Sequence, residues 1–324
     1  MNIRSHIRQE TVVLLLAVAI FIASSIFLNG FIEASNIVTL VRGVALLGIL
    51  AIGMGIVVIG RGIDLSVVSI LAISVACMLQ LLNMSYSLPS ALAITLAGVI
   101  VMGGINGFLV AYAEVPAIFA TLASGTFVYG IGRSQWLSGD VVYMPDNQTG
   151  FMAMGELKFL GIPAEIYFFL GIAFLAFLAL RFTRPGRFIY FMGDNFAAAR
   201  NMGIPVRPVI VLQYIVSALI AFVAGVIMAA SLHSMNTRIV NSTLLYDIIL
   251  VVVIGGIGLS GGKGGIRNVI VGTLLIGILL NAMTILDIPD LYQKLIKASF
   301  LLVALIADGF INPRDEQTDQ AGDI

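Results

Sequence analysis

Asp64, Ser66 and Ser69 crowd into IGRGIDLSVVS, Ile59–Ser69, between two long apolar runs. A carboxylate and two hydroxyls at that spacing can do either of two jobs. Asp64 can cap the helix that follows, accepting its open amides and meeting the positive end of its dipole, while Ser66 and Ser69 bond locally in the same turn. Alternatively it can face a passing solute or a gate, because a charge inside a membrane costs ~2.5–3.5 kcal/mol on insertion scales and is kept only for a reason. Asn106 lies within another apolar stretch, and Asp247 opens a third beside Asn241, Ser242 and Thr243. Both must face protein or water rather than lipid. A wet translocation path fits both, and a bundle-holding hydrogen bond fits Asn106 almost as well.

Other chemistries find no residues. Lys263 sits in VVVIGGIGLSGGKGG, Val251–Gly265, which resembles a phosphate-binding loop only superficially. That loop needs G-x-x-x-x-G-K-[ST], yet Ile257 holds the first glycine position and Gly264 follows the lysine. Gly255, Gly256, Gly261, Gly262 and Gly264, with Lys263, read instead as a tight cytoplasmic turn in which positive φ is allowed. His6 and His233 are too far apart to suggest zinc, and Cys77, the only cysteine, can form neither an internal disulfide nor a thiolate cluster. There is no H-E-x-x-H and no pairing of nucleophile with base. The expectation is a chain that is not an enzyme, binds no cofactor or metal and hydrolyses no nucleotide.

The elements that must position these groups follow from composition. Hydrophobic residues make up 60% of the 324 and charged ones only 10%, against about 25% charged in a soluble domain. The formal net charge of zero leaves no basic stripe for nucleic acid. A helix needs roughly 20 residues, rising ~1.5 Å each, to cross a bilayer. That ruler gives ten runs: Thr11–Leu28, Val38–Ile59, Ile63–Leu82, Leu88–Ala111, Ala117–Leu137, Ala164–Leu180, Val209–Ser231, Leu244–Leu259, Asn268–Leu286 and Leu291–Ala307. The eighth and tenth are short. The reading is an all-α polytopic membrane protein in contact with lipid, with a cytoplasmic segment over residues 1–10, a membrane domain over 11–308 and a cytoplasmic tail over 309–324. Placing both termini inside puts Arg4, Arg8, Arg61, Arg181, Arg184, Arg187, Arg200, Arg207, Lys263, Arg267 and Arg314 on the cytoplasmic side, as the excess of Lys and Arg on inner loops requires. Arg42, Arg133, Lys158, Arg238, Lys294 and Lys297 fall outside, mostly at helix ends where they can snorkel.

Two stripes of small residues four apart, Gly103–Gly107–Ala111 and Ser217–Ala221–Gly225–Ala229, mark surfaces where helices approach closely. The loop RFTRPGRFIYFMGDNFAAARNMGIPVRP, Arg181–Pro208, carries a short helix capped by Asp194 or Asn195, ending at Gly203 and stopped by Pro205 and Pro208. Phe196, Ala199, Arg200 and Met202 can form a contact face on it. Such a helix either docks a partner or rests on anionic lipid through its arginines.

Four ordered segments resemble the ribose-type (monosaccharide) permease family of ABC importers. GIDLSVVS is similar to the family's G-G-I-D-L-S-V-G-S, and NGFLVAYAEVPAIFATLASG to N-G-x-L-x-A-x-x-x-x-P-P-F-I-x-T-L-G. GRFIYFMGDNFAAARNMGI resembles G-R-x-x-Y-A-I-G-G-N-x-x-A-A-x-x-S-G-I, and YDIILVVVIGGIGLSGGKGG resembles L-D-A-I-A-A-V-V-I-G-G-x-S-L-x-G-G-x-G. Arg61 and Val68 stand where the family has glycines, Ala117 replaces its second proline and Ile249 an alanine. The resemblance implies a ten-span fold of the vitamin B12 type (type II-like) in the bacterial inner membrane. It implies a dimer with a second copy or a related permease, and an ABC ATP-binding protein of two fused ATPase domains holding the ATP and Mg. It also implies a periplasmic or extracellular solute-binding protein that delivers a monosaccharide or similar small polar solute. By the same resemblance Asn195–Gly203, Ala198 included, is the coupling helix against the ATPase. Asp64 and the segment from Asn106 to Thr121 lie near the translocation path, and Gly255–Gly264 forms a second cytoplasmic turn. Alternating access would be the mechanism.

The main rival is a secondary transporter, hinted at by VVIG at Val57–Gly60 and again at Val252–Gly255. No set of buried carboxylates points to proton coupling, and no ring of pore charges points to a channel.

Overall fold

Apolar runs bounded by glycine, proline and serine become helices here. The computed structural model describes residues 9–311, so the readings of Arg4, His6, Arg8, Arg314 and the tail after Asn312 fall outside the described residues. In chain order the helices are α1 (Gln9–Phe27), α2 (Ala34–Ile59), α3 (Val67–Asn83), α4 (Leu88–Ala111), α5 (Ala117–Ile131), α6 (Thr149–Glu156), α7 (Ala164–Phe182), α8 (Arg184–Asp194), α9 (Phe196–Asn201), α10 (Val206–Leu232), α11 (Leu244–Gly255), α12 (Ile266–Ile285) and α13 (Asp290–Ile311). Two short antiparallel pairs join loops: β1 (Val141–Tyr143) with β4 (Ser234–Asn236), and β2 (Lys158–Phe159) with β3 (Ile162–Pro163).

A helix falls on each expected run, but the ten-span, vitamin B12-type expectation is corrected. Six helices, α1, α2, α4, α7, α10 and α12, are long and apolar enough to cross a membrane. α3 has 17 residues, α5 15 and α11 12. At ~1.5 Å per residue these reach about 26, 22 and 18 Å, short of the ~30 Å hydrocarbon core. α13 has 22 residues but carries Asp290, Lys294 and Lys297. The fold is all-α and polytopic, with six long apolar helices.

α2 is the centre. From Leu47 to Ile59 every residue is buried, as expected of a helix that is apolar all round. α1, α4 and α7 instead bury few of their side chains, which suits a lipid-facing surface. The Gly103 stripe lies where α4 meets α10: a Cβ at Gly103 would stand 2.7 Å from Ile215 Cα, and one at Gly107 2.5 Å from Val211 Cα. Gly225, further along α10, meets α3, 2.7 Å from Val75 Cγ2 by the same construction. Each stripe thus allows backbones to approach where lipid supplies no hydrophobic drive.

The two ends of the bundle differ. One carries the break between α2 and α3, helices α8 and α9, and the glycine-rich turn before α12. The other carries α6 and the strand pairs.

Candidate functional site

At the first end, α2 stops at Gly60 and the chain turns through Arg61, whose φ of 67° is left-handed. Gln213 of α10 donates to Ile56 O at 3.1 Å, satisfying a carbonyl that the stopped helix leaves open. Asp64 follows and is fully buried. Its Oδ1 accepts the Ser66 amide at 3.0 Å and the Ser66 hydroxyl at 2.5 Å, and its Oδ2 accepts the Ser217 hydroxyl at 2.8 Å. Asn106 of α4 donates to Ser66 Oγ at 2.8 Å, while its own Oδ1 is buried without a partner. Thr121 of α5 accepts the Leu65 amide at 3.0 Å and donates to Ala117 O. Gly125 of α5 lets this helix close in: a Cβ there would lie 3.0 Å from Ser66 Cα and 3.4 Å from Ser69 Oγ.

Asp64, Ser66, Asn106 and Thr121 therefore meet in one buried network, with Ser69 beside it. Asp64 is not the cap of α3. That helix begins at Val67, and Asp64 accepts only the amide two residues on, holding the turn before the helix. Ser217 was legible only as a small residue in a packing stripe, and its bond to Asp64 had no signal in spacing.

Asp247 stands at the opposite end. Its Oδ2 takes Lys297 Nζ of α13 at 2.9 Å and the Thr243 hydroxyl at 3.4 Å, and its Oδ1 is buried without a partner. Lys297 does not snorkel: its side chain is 12% exposed. Arg42 likewise reaches Glu165 of α7 at 3.3 Å, and that carboxylate, 1% exposed, also accepts the Ser231 hydroxyl at 2.7 Å. Neither Glu165 nor Lys297 was singled out by motif, because each gains its meaning from a partner distant in sequence.

The loop after α7 folds as two helices. Thr183 caps α8, accepting the Gly186 amide at 3.1 Å. Tyr190 donates its hydroxyl to Gly264 O at 2.9 Å. Burial pushes the Tyr190 phenol up from its ordinary range, so it stays a donor. Gly193 has no room for a side chain, since a Cβ would run into Ile59 O and Gly262 N. Gly262 N donates to Ile59 O at 2.8 Å, and Gly262 itself has φ 73° with Asp194 against it. α8, the glycine turn and the last carbonyl of α2 are thus clasped together at the α2–α3 break. Gly255 and Gly256 lie at the end of α11, where Asn268 donates to Gly255 O at 2.8 Å; Gly261, Gly262, exposed Lys263 and Gly264 form the turn itself.

Asn195, not Asp194, caps α9: its Oδ1 accepts the Ala198 amide at 2.8 Å, and Asp194 is the last residue of α8. The helix ends at Asn201, after which Met202 and Gly203, with φ 78°, complete the turn. Its expected contact face is redrawn. Ala199 is buried and Phe196 packs onto the core, whereas Ala198, Arg200 and Met202 are exposed. Among the described residues no group of three His, Cys, Asp or Glu side chains could hold a metal ion.

Six long apolar helices around buried polar joints define a polytopic membrane protein. The chain belongs to the family described as branched-chain amino acid transport system / permease component, which residues 36–305 match. It is 34% identical to the ribose import permease protein of Haemophilus influenzae over 302 residues, 92% of this chain and 93% of that one. It is 35% identical to the ribose import permease protein of Bacillus subtilis, covering 88% of each chain. To the L-arabinose transport system permease protein of Escherichia coli it is 29% identical, over 90% of this chain and 88% of that one. No solved structure matches it. The protein is the multi-pass inner-membrane subunit of an ABC importer, an architecture in which a separate ATPase and a soluble binding protein serve the permease.

Proposed function

We propose that this chain imports a monosaccharide or similar small polar solute, delivered by its binding protein, with ATP and Mg used on the partner ATPase. The observation that carries the coupling is α9: a short capped helix whose exposed face, Ala198, Arg200 and Met202, stands on a clasp that leads to the α2–α3 break. A movement imposed there reaches Ile59 and the Asp64 turn through backbone contacts alone. The end bearing α8 and α9 is cytoplasmic in this reading. It gathers Arg61, Arg181, Arg184, Arg187, Arg200, Arg207, Lys263 and Arg267, the distribution expected of an inner face. The ATPase carries two fused domains, and a second permease, identical or related, completes the pair.

In this reading Asp64, Ser66, Asn106 and Thr121, with Ser69 beside them, brace the inner gate, and Asp247 belongs to the outer part of the route. Because Asp64 already holds three donors, it acts by fixing the gate and not by touching cargo. The family's description favours a second reading, a branched-chain amino acid as cargo. Uptake of radiolabelled D-ribose, L-arabinose and L-leucine into proteoliposomes holding the whole importer distinguishes them. The pentoses should enter and leucine should not; the reverse would overturn the sugar reading.

A further inference from the structure

A cavity of about 350 Å³ opens where α1 and α12 begin, α7 ends and α8 passes. Its size is at the lower end of ligand pockets, ~300–1,000 Å³. Two arginines line it, Arg181 in the last turn of α7 and Arg267 in the first turn of α12. Both are exposed, and among the described residues neither forms an ion pair. The other polar side chains on the described wall are engaged. Tyr190 donates to Gly264 O and Asn268 to Gly255 O, and Glu10, the one acid there, has a partner.

Two open guanidiniums on one wall favour an anion. Arg267 also stands against the dipole of α12, which disfavours a cation in the first turn, and that turn has no acidic residue to offset it. An anion shared with Arg181 removes this conflict. The Arg181 guanidinium lies over the rings of Phe177 and Phe182, 5.9 and 5.8 Å from their centroids, contacts that orient it and leave its N–H donors available. The helix beneath it distinguishes a lipid from a soluble anion. Leu170, Phe174, Phe177 and Arg181 follow at spacings of four, three and four, along one face of α7. Leu170 and Phe174 are 53% and 60% exposed, so an open apolar strip leads to a cation at the level where the helix ends. We propose that the cavity holds the phosphate of an anionic phospholipid between Arg181 and Arg267, with an acyl chain laid along Leu170 and Phe174. The import reading above enters only by placing this end on the cytoplasmic side, where basic pockets between spanning helices take anionic headgroups.

The test is native mass spectrometry of the complete importer, released from vesicles of phosphatidylcholine with a minor share of phosphatidylglycerol. Wild type should retain phosphatidylglycerol in preference to phosphatidylcholine. Arg181→Gln and Arg267→Gln should each lower that preference about fivefold, as expected of one arginine at a membrane surface. Arg184→Gln with Arg187→Gln removes charge from the same end but outside the cavity and should change it little. Full retention by the double variant Arg181→Gln with Arg267→Gln would overturn the site, and so would an equal loss in the control, which would mean attraction to a basic surface at large. A second arm adds inorganic phosphate or glycerophosphoglycerol, neither of which should displace the lipid, and phosphatidylglycerol with a photoactivatable acyl chain, which should label α7. Displacement would make the occupant a soluble anion and overturn the lipid assignment. Lipid held by the isolated permease and excluded from the complete importer would overturn it too, giving the arginines to the ATPase. None of these readouts involves transport, so a failure of D-ribose uptake would count against the import reading and leave the lipid site standing.

Discussion

A single carboxylate organises the joint between α2 and α3. Asp64 receives donors from its own turn and from α10, and the serine that reaches it locally is also held by α4. Ser217→Ala removes one donor and leaves Oδ2 without it. In membrane proteins such bonds average about 0.6 kcal/mol and reach about 1.7, so we expect a loss near the upper figure, because both groups are buried. Reversible unfolding in mixed detergent micelles measures it, and a loss of less than about 0.3 kcal/mol would mean that the bond is not formed. Asp64 was legible as important because a charge among apolar residues is conspicuous. That it holds a turn and does not cap a helix was not legible, because the apolar pattern does not mark that α3 begins only at Val67. The pairing of Asp247 with Lys297 was hidden for another reason: 50 residues separate them, and no local spacing reports so distant a neighbour.

At the scale of elements, close helix contacts were well marked. Stripes of small residues four apart identified the part of α4 that meets α10 and the part of α10 that meets α3, since small residues allow that approach. α4 offers an internal control. Gly107 abuts Val211, whereas at Gly104 a Cβ would meet nothing within 4 Å. Gly107→Leu should destabilise the protein by about 1–3 kcal/mol or more through overpacking, and Gly104→Leu should change little; thermal melts in detergent would show equal effects if the α4–α10 contact were wrong. The clasp was less legible. The glycines of Gly255–Gly264 signalled a turn, but Gly193, one residue before Asp194, looks unremarkable until Ile59 and Gly262 press on it. Gly262→Ala would place a Cβ 2.7 Å from the Asp194 amide at φ 73°. We expect the solute moved per ATP hydrolysed to fall several-fold in reconstituted vesicles while the complex still assembles. Tyr190→Phe, which removes the hydroxyl donated to Gly264 O, should lower the same ratio more mildly.

For the whole molecule, hydropathy located helices and miscounted crossings. Windows of apolar residues cannot distinguish a helix that spans from a shorter one buried among neighbours, as α3 and α11 are. What composition did reveal is a polytopic membrane protein, and the family match makes it the permease subunit. Several of its buried polar residues form joints between helices, and α9 leaves Ala198, Arg200 and Met202 exposed at the arginine-rich end, the face proposed above to meet the ATPase. The account therefore stands on energy arriving from outside the chain, and one measurement addresses that directly. Proteoliposomes carrying the permease, with loaded binding protein on one side and ATP on the other, are assayed for D-ribose uptake with and without the ABC ATPase. Uptake should require the ATPase and should be abolished when Met202→Glu and Arg200→Glu reverse the chemistry of the α9 face. Undiminished uptake by the permease alone, with no ATPase present, would contradict the account.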